Sequence, residues 1–570
     1  MQEKIERIIK DVLKNLGIAE CDFAVEHPED LKNGDYFTNV ALVAGKEAKM
    51  KPQELAQKII LEIEKNLPQK IARMELAGPG FINFYLSREF FSENVEEILN
   101  DGEDTGKNAT LTGKKIMVEY TDPNPFKPFH IGHLMTNAIG ESIARVLEHS
   151  GAQVARANYQ GDIGLHVAKA IYGLTKDPTL AEKLGSHKAE AANIGSAYVL
   201  GATAYEKDSE AKKEIDEINK KIYKRSDEKL NTLYDWGFDA TMKAFEDLYE
   251  ILGTEFDYYF LESVMAGIGE EIVLENKGKV FTESDNAVVF RAEDYDPKLH
   301  TRVFITSQGL PTYETKELGL ALEKFKTEPN MDLSITITAN EQADYMRVVT
   351  KALSLIHPEY ENKMRHITHG MMRFASGKMG SRTGNVITGE SLLRDVKELV
   401  WQKMQARDFT DKEKEKIATD VAVSALKYSI LKQSIGGDIV YDFEKSISFD
   451  GDSGPYLCYS YARANSVLEK AKKENVLPDP HVAPESAWEV EKLIYRFPEI
   501  VLRSAGAYEP HHITSYLIEL ARAFNSFYGN NVIVNPEDKS SSYKVALTFA
   551  FTFVMKSGLN LLGIRAPAKM

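Results

Sequence analysis

The chain has 570 residues, beyond the roughly 250–300 that one hydrophobic core supports, so three or four domains are expected. Its 43% hydrophobic, 27% charged and 10% aromatic content excludes global disorder and a fibrous repeat. The net charge of −16, from 70 Lys and Arg against 86 Asp and Glu, excludes a generally basic, non-specific nucleic-acid binder; a polyanion held by a few placed cations stays open.

The chain starts with a charged amphipathic helix whose stripe is Ile5, Ile8, Ile9, Val12, Leu13 and Leu16, without the continuous apolar run of a signal peptide. Residues 1–110 read as helix, strands, helix and strands, closing with GFINFYL and the polar run NDGEDTGKNATLTGKK. Next, KIMVEY is a strand, TDPNPFKPFHIG a Pro-rich loop, LMTNAIGESIARVLEHSG a helix and AQVARANYQGD a second strand. That order is a βαβ unit, the building block of a doubly wound parallel sheet. Long charged helices over about 176–252 read as an insertion. AVVFRAED, HTRVFITSQG, a helix in TYETKELGLALEKFK and the strand SITITA are then expected to complete the sheet. From about Leu392 the pattern is helical. The most apolar stretch, Val545 to Met555, stops at Lys556 at about half the length of a membrane span, so no membrane segment is expected. Two cysteines, Cys21 and Cys458, are too few for a disulfide framework and point to a reduced, cytoplasmic setting.

Two segments carry chemistry. Lys127, Pro128, Phe129, His130, Ile131, Gly132 and His133 sit between a strand end and a helix start, where ligands of open α/β folds bind. The two imidazoles, with the free N–H groups of the helix start, suit phosphate oxygens, and Gly132 lets a nucleotide ring approach the backbone. Alone, the same residues also describe surface histidines or a His pair on a metal, although no further metal ligands stand nearby. The second segment is RFASGKMGSRTGNVI. No acid occurs between Glu361 and Glu390, whereas Lys363, Arg365, Arg373, Lys378 and Arg382 are basic. A Gly-punctuated cationic loop suits a polyphosphate, and alone also describes a solvated basic loop.

Together, H-x-G-H at the first βα turn and the later KMGSR loop resemble the HIGH and KMSKS signatures of class I aminoacyl-tRNA synthetases. More narrowly, the chain resembles the arginyl-tRNA synthetases over nearly its whole length: Pro123, Asn124 and Lys127 before the first motif, PTYETKELGLALEKF, TANEQADYM, GPYLCYSYARANSVL, the closing LNLLGIRAPAKM, and N-terminal NGDYFTNVAL and GPGFINFYL. The resemblance implies an α/β plus α architecture. An N-terminal tRNA-binding domain of α+β type spans 1–110, and a Rossmann-like doubly wound catalytic domain spans 111–390 with the helical insertion at about 176–252. A helical connection follows over 391–450, then an all-α DALR-type anticodon-binding domain over 451–570. It implies an arginine–tRNA ligase that is a cytoplasmic monomer, acts on L-arginine, ATP with Mg²⁺ and tRNA(Arg), requires bound tRNA for activation, and holds no prosthetic group or protein metal site.

By the same resemblance, His130, His133, Lys127 and Lys378 are catalytic, and Pro123, Asn124, Phe129, Gly132, Met379, Ser381 and Arg382 complete the ATP site. Glu119, Asn124, His130, Tyr313, Glu317 and Gln342 hold arginine, whose planar five-donor guanidinium demands acceptors. Phe37, Asn39, Tyr456, Tyr459, Arg463 and Tyr528 are tRNA-binding candidates. This sequence departs from the family at three places. Ser381 stands where the second KMSKS lysine belongs, and Lys127 is expected to supply that cation. Glu317 stands where Asp is usual, and Cys458 and Tyr461 replace Gln and His. Another HIGH-type nucleotidyltransferase and a catalytically silent, synthetase-like RNA-binding protein are the competing readings. The first leaves the C-terminal helices unexplained, and the second is free to lose His130, His133, Lys127 and Lys378.

Overall fold

A computed structural model describes residues 1–375, 388–405 and 409–570. Its centre is a five-stranded, wholly parallel sheet in the order Met364–His369, Leu333–Ala339, Lys115–Glu119, Gln153–Gln160, Tyr258–Leu261. The first strand in sequence, Lys115–Glu119, lies in the middle. The chain steps to one side of it for Gln153–Gln160 and later to the other for Leu333–Ala339, which places a topological switch point at the carboxyl end of Lys115–Glu119. In register, Glu119 pairs with Thr336 on one flank and Ala157 on the other.

The expectation that AVVF and RVFI complete this sheet is corrected by the structure. Ala287–Phe290 and Arg302–Ile305 pair with Thr282–Ser284 in a separate three-stranded antiparallel sheet, around Phe281, Phe290 and Phe304. Apolar runs identify strands but not their partners. SITITA does join the sheet, within Leu333–Ala339, and the remaining strands are Tyr258–Leu261 and Met364–His369.

One face of the sheet packs on the helix Ile131–His149 and continues into the C-terminal helices. Val118, Ile335 and Ile337 share a core with Ile139 and Ile143, and with Val421, Phe524 and Phe551 of the helices Asp411–Leu431, His511–Asn530 and Ser541–Leu561. The insertion helices His187–Lys207, Ser209–Lys224 and Glu228–Leu252 have their own core, with Ile171, Ile194, Ile215 and Ile222. The N-terminal unit buries Ile5, Ile9, Val12 and Leu13 of its first helix over a four-stranded sheet. It docks on the C-terminal helices by polar contacts: Glu499 accepts from the Tyr36 hydroxyl (2.7 Å) and meets His27 Nε2 (2.8 Å), and Arg88 pairs with buried Glu491 (2.7 Å). No helix among the described residues is long and apolar enough to cross a membrane.

Candidate functional site

The loop that leaves the central strand is strained. Thr121, Asp122 and Phe126 have φ of 80°, 47° and 67°, left-handed conformations that cost non-glycine residues about 1–3 kcal/mol each. Specific contacts hold it. Asp122 Oδ1 accepts from Tyr159 N–H (2.7 Å), Thr121 Oγ1 accepts from Asn137 Nδ2 (3.1 Å), and Phe126 is fully buried. The loop therefore turns Asp122, Asn124 and Lys127 into a cavity of about 760 Å³ at the switch point, shared with Glu119, Tyr159, Glu262, Tyr313, Lys316, Glu317, Thr336, Gln342 and Tyr345.

Of the six candidates for arginine, five line this cavity: Glu119, Asn124, Tyr313, Glu317 and Gln342. Tyr313 is 70% exposed at the mouth, with Lys316 Nζ 5.2 Å from its ring centroid, and an aromatic face there suits a cation. His130 is not in the lining and lies with the histidine turn. Asn124 is so close to Gly161 that a Cβ there would lie 2.0 Å from Asn124 Oδ1.

The charges of the cavity separate. Lys324 ion-pairs with Glu119 deep in the site and donates to Thr336 Oγ1 (3.1 Å), and Lys316 pairs with Glu262. Among the described residues Asp122 and Glu317 have no ion-pair partner, and both carboxyls are pushed up, first by burial and then by Glu119. Glu317 reaches about 8. On the insertion side stand Lys127 and Lys169, near His166, Tyr198 and Tyr223. Burial, then the Lys169 ammonium, holds Lys127 below the ordinary lysine range. The cavity thus has an end that needs a cation and an end that needs an anion.

Beside it, His130 caps the helix Ile131–His149. His130 Nδ1 accepts from His133 N–H and His133 Nδ1 accepts from His130 N–H, both at 3.3 Å, and the rings stack at 3.4 Å. With each Nδ1 accepting, the neutral ring carries its proton on Nε2, so both present an N–H donor. Burial, then His130 and Lys127, hold His133 well below the usual histidine range and hence neutral. A Cβ on Gly132 would lie 3.0 Å from the His130 ring, so the glycine lets the cap form. Pro123 is buried, and Phe129 is 3% exposed against Phe245 and Tyr249, which makes it an anchor of the turn. Thr388 bridges to His130 and Gly389 N–H donates to Phe129 O (2.8 Å), so the chain re-enters beside the histidines directly after residues 376–387. Lys378, Met379, Ser381 and Arg382 lie outside the described residues.

Three tRNA candidates converge on a second cavity of about 1200 Å³ between the helices Gly454–Lys473 and His511–Asn530 and the C-terminal residues. The Arg463 guanidinium lies 4.7 Å from the Tyr459 ring centroid and 5.0 Å from that of Tyr528. Tyr456 accepts from Asn525 Nδ2 (3.0 Å) and lines no part of it. Far away, Phe37 packs edge-on to Phe81, and Asn39 Oδ1 accepts from Ala24 N–H (2.8 Å). One group among the described residues, Glu509, His511 and His512, is compact enough to share a metal, and it lines neither cavity.

Asp122, Tyr159, Lys169, Glu262, Lys316, Lys324 and Tyr345 were not foreseen. Their only sequence signal is an excess of ionisable residues in segments that also read as core, such as KELGLALEKF.

A family model described as tRNA synthetases class I (R), catalytic domain, matches residues 94–443. A DALR anticodon binding domain model matches 457–570, and an arginyl tRNA synthetase N-terminal domain model matches 3–86. The Arginine–tRNA ligase of Clostridium perfringens is 31% identical over 99% of each chain, and that of Clostridium beijerinckii is 30% identical over 100% of each. Among solved structures, the arginyl-tRNA synthetase of Thermus thermophilus superposes with a TM-score of 0.80 at 24% identity over 100% of both chains. That of Plasmodium falciparum gives 0.78 at 21%, covering 100% of this chain and 99% of its own.

Proposed function

The chain belongs to the arginyl-tRNA synthetase family of class I, and from that premise we propose how its residues divide the work of an arginine–tRNA ligase. The reaction has two steps. The arginine carboxylate attacks the α-phosphorus of ATP and expels pyrophosphate; a hydroxyl of the terminal tRNA ribose then attacks the arginyl carbonyl and expels AMP. The first nucleophile is already ionised, so the site needs no general base and works by positioning and by neutralising charge.

The observation that carries the assignment is the separation of charge in the 760 Å³ cavity. The guanidinium lies toward Glu317 beneath the Tyr313 ring. Glu119, fixed by Lys324, holds the α-ammonium with Asn124 and Gln342. The substrate carboxylate then faces Lys127 and the histidine turn, where the Nε2–H groups of His130 and His133 donate to ATP phosphates as charge builds on them. ATP enters as its Mg²⁺ complex, a substrate. Lys127 supplies the cation missing at Ser381, and Lys378 meets the departing pyrophosphate. Tyr459, Arg463 and Tyr528 contact the anticodon loop, since stacked aromatics with a guanidinium suit unpaired bases. We take the working form to be a cytoplasmic monomer; its two cysteines, Cys21 and Cys458, are both free.

Arginine-dependent pyrophosphate exchange, run with and without tRNA, tests the reading. Exchange that requires arginine and is stimulated by tRNA supports it, and exchange with another amino acid overturns it. Lys127→Ala should lower exchange at least tenfold, about 1.4 kcal/mol. Activity within about threefold of wild type would remove Lys127 from its role.

A further inference from the structure

Tyr120 sits between Glu119 and the strained pair Thr121–Asp122, yet its side chain points away from the cavity. It is fully buried, and its ring lies so close to the histidine helix that a Cβ on Gly140 would meet it at 2.2 Å. Its hydroxyl donates to Glu141 Oε2. Glu141, 2% exposed, also binds Arg145 Nε (2.7 Å) and Arg156 Nε (3.3 Å). Burial would raise its carboxyl, but Arg145, Arg156 and Lys427 together hold it below the usual range.

Lys427, on the helix Asp411–Leu431, is fully buried, and its Nζ donates to Leu252 O (2.6 Å), where the last insertion helix ends, and to Gly563 O (2.9 Å), in the turn after the last helix of the chain. Gly563 has φ 64° and is wedged between the two ionisable groups. A Cβ there would lie 2.6 Å from Lys427 Nζ and 3.6 Å from Glu141 Cγ. The same turn is held by Ser142 Oγ donating to Leu561 O (2.8 Å) and Arg145 Nη1 donating to Asn560 Oδ1 (2.7 Å), while Arg145 Nη2 donates to Gly253 O (2.7 Å). Histidine helix, insertion and C-terminal turn therefore meet at one polar junction whose other end is the peptide carrying Glu119 and Asp122. Burial, then Arg145, pushes Lys427 down to about 7, and in either protonation state it can donate to both carbonyls.

We propose that Lys427, Gly563 and Glu141 are positioning residues for the arginine pocket, acting through Tyr120 on Glu119 and Asp122. The inference rests on the reading of the cavity as the arginine site. A buried charged cluster is a poor way to gain stability, since apolar replacements of like volume are often neutral or better. What it supplies here is a fixed geometry for a backbone held in left-handed conformations.

The test uses the full-length enzyme with saturating tRNA, counts active sites by adenylate burst, and measures the KM of arginine and of ATP in pyrophosphate exchange. Gly563→Ala, Lys427→Met and Tyr120→Phe should each raise arginine KM at least tenfold and leave ATP KM within twofold. In the Gly563→Ala/Tyr120→Phe double variant the second change should add less than twofold, because the line is already cut. Unchanged arginine KM per active site, or fully multiplicative effects, would reduce the junction to scaffolding and overturn the proposal. If Lys427→Met does not fold, Gly563→Ala and Tyr120→Phe decide. Absence of arginine-dependent exchange in the wild type would instead sink the reading of the cavity.

Discussion

Arginine binding at neutral pH should expel a proton from the pocket. Glu317 is pushed up to about 8 by burial first and Glu119 second, with Lys324 pulling the other way. At pH 7 it is then about nine-tenths protonated, and ionising it costs about 1.4 kcal/mol. A guanidinium about 4 Å away returns about 4 kcal/mol at an effective dielectric of about 20, so the bound state holds the carboxylate. Proton release should be large at pH 7 and fall toward zero as pH rises past 8. Affinity should rise up to tenfold per pH unit below 7 and level off above 8. Calorimetry of arginine binding to the tRNA-bound enzyme, in buffers of different ionisation enthalpy, reads the release directly, and Glu317→Gln should reduce it, any remainder coming from Asp122. The sign for stability is opposite. A carboxyl at about 8 folded and 4.5 unfolded holds its proton more tightly in the native state, so its contribution is lost as pH rises from about 4.5 to 8. The melting-temperature gain from arginine should therefore grow between pH 7 and 9. Binding enthalpy that is independent of buffer, with affinity flat from pH 6.5 to 8.5, would refute the reasoning.

Lysine should be activated at least a hundredfold less efficiently than arginine, because one ammonium cannot engage several planar acceptors; exchange kinetics with lysine approaching arginine would contradict this. Gly161→Ala should raise arginine KM about tenfold or more with melting temperature unchanged, since its Cβ meets the movable ends of Asn124, at 2.0 Å, and Glu262, at 3.2 Å; an unchanged KM would remove Asn124 from the site. Arg463→Ala should raise tRNA KM by about 10- to 100-fold, the worth of one or two stacked bases, while arginine KM stays within twofold. Equal changes in both constants would argue against a separate RNA surface.

The βαβ unit and its histidine turn were legible because strand, Pro-rich loop and helix announce themselves by local pattern, and the site there is built from contiguous residues. Glu119, Asn124, Tyr313, Glu317 and Gln342 reach one cavity as the motifs implied, since each lies at or near a strand end or helix start on the same edge of the sheet. The fate of their charges was not legible. Lys316 meets Glu262 across 54 residues, and Lys324 meets Glu119 across the sheet, pairings that only the fold creates. Sequence spacing likewise gave no hint that Thr121, Asp122 and Phe126 take left-handed backbones, because non-glycine residues adopt them only when the surroundings impose it.

That strain bears on why an acidic chain can hold polyanions. The net charge of −16 is spread over exposed helix surfaces, where salt screens it within about 10 Å. In the cavity and directly behind it the balance is set by four carboxyls, Glu119, Asp122, Glu262 and Glu317, against four ammonium groups, Lys127, Lys169, Lys316 and, paired behind Glu119, Lys324. Two pairs cancel, leaving two carboxyls toward one end and two lysines toward the other. Two carboxyls that ionise when a cation arrives, set against two lysines at the other end, fit a substrate pair of one cation and one polyphosphate better than a uniformly basic cleft would. The arrangement works only if Asp122 and Lys127 stay on their own sides. They are five residues apart on the same loop, so their separation depends on the backbone between them, and the left-handed residues at 121, 122 and 126 set its course. Relaxing that loop would let an acid and a base approach and neutralise each other, so the strain preserves the polarity on which both substrates depend.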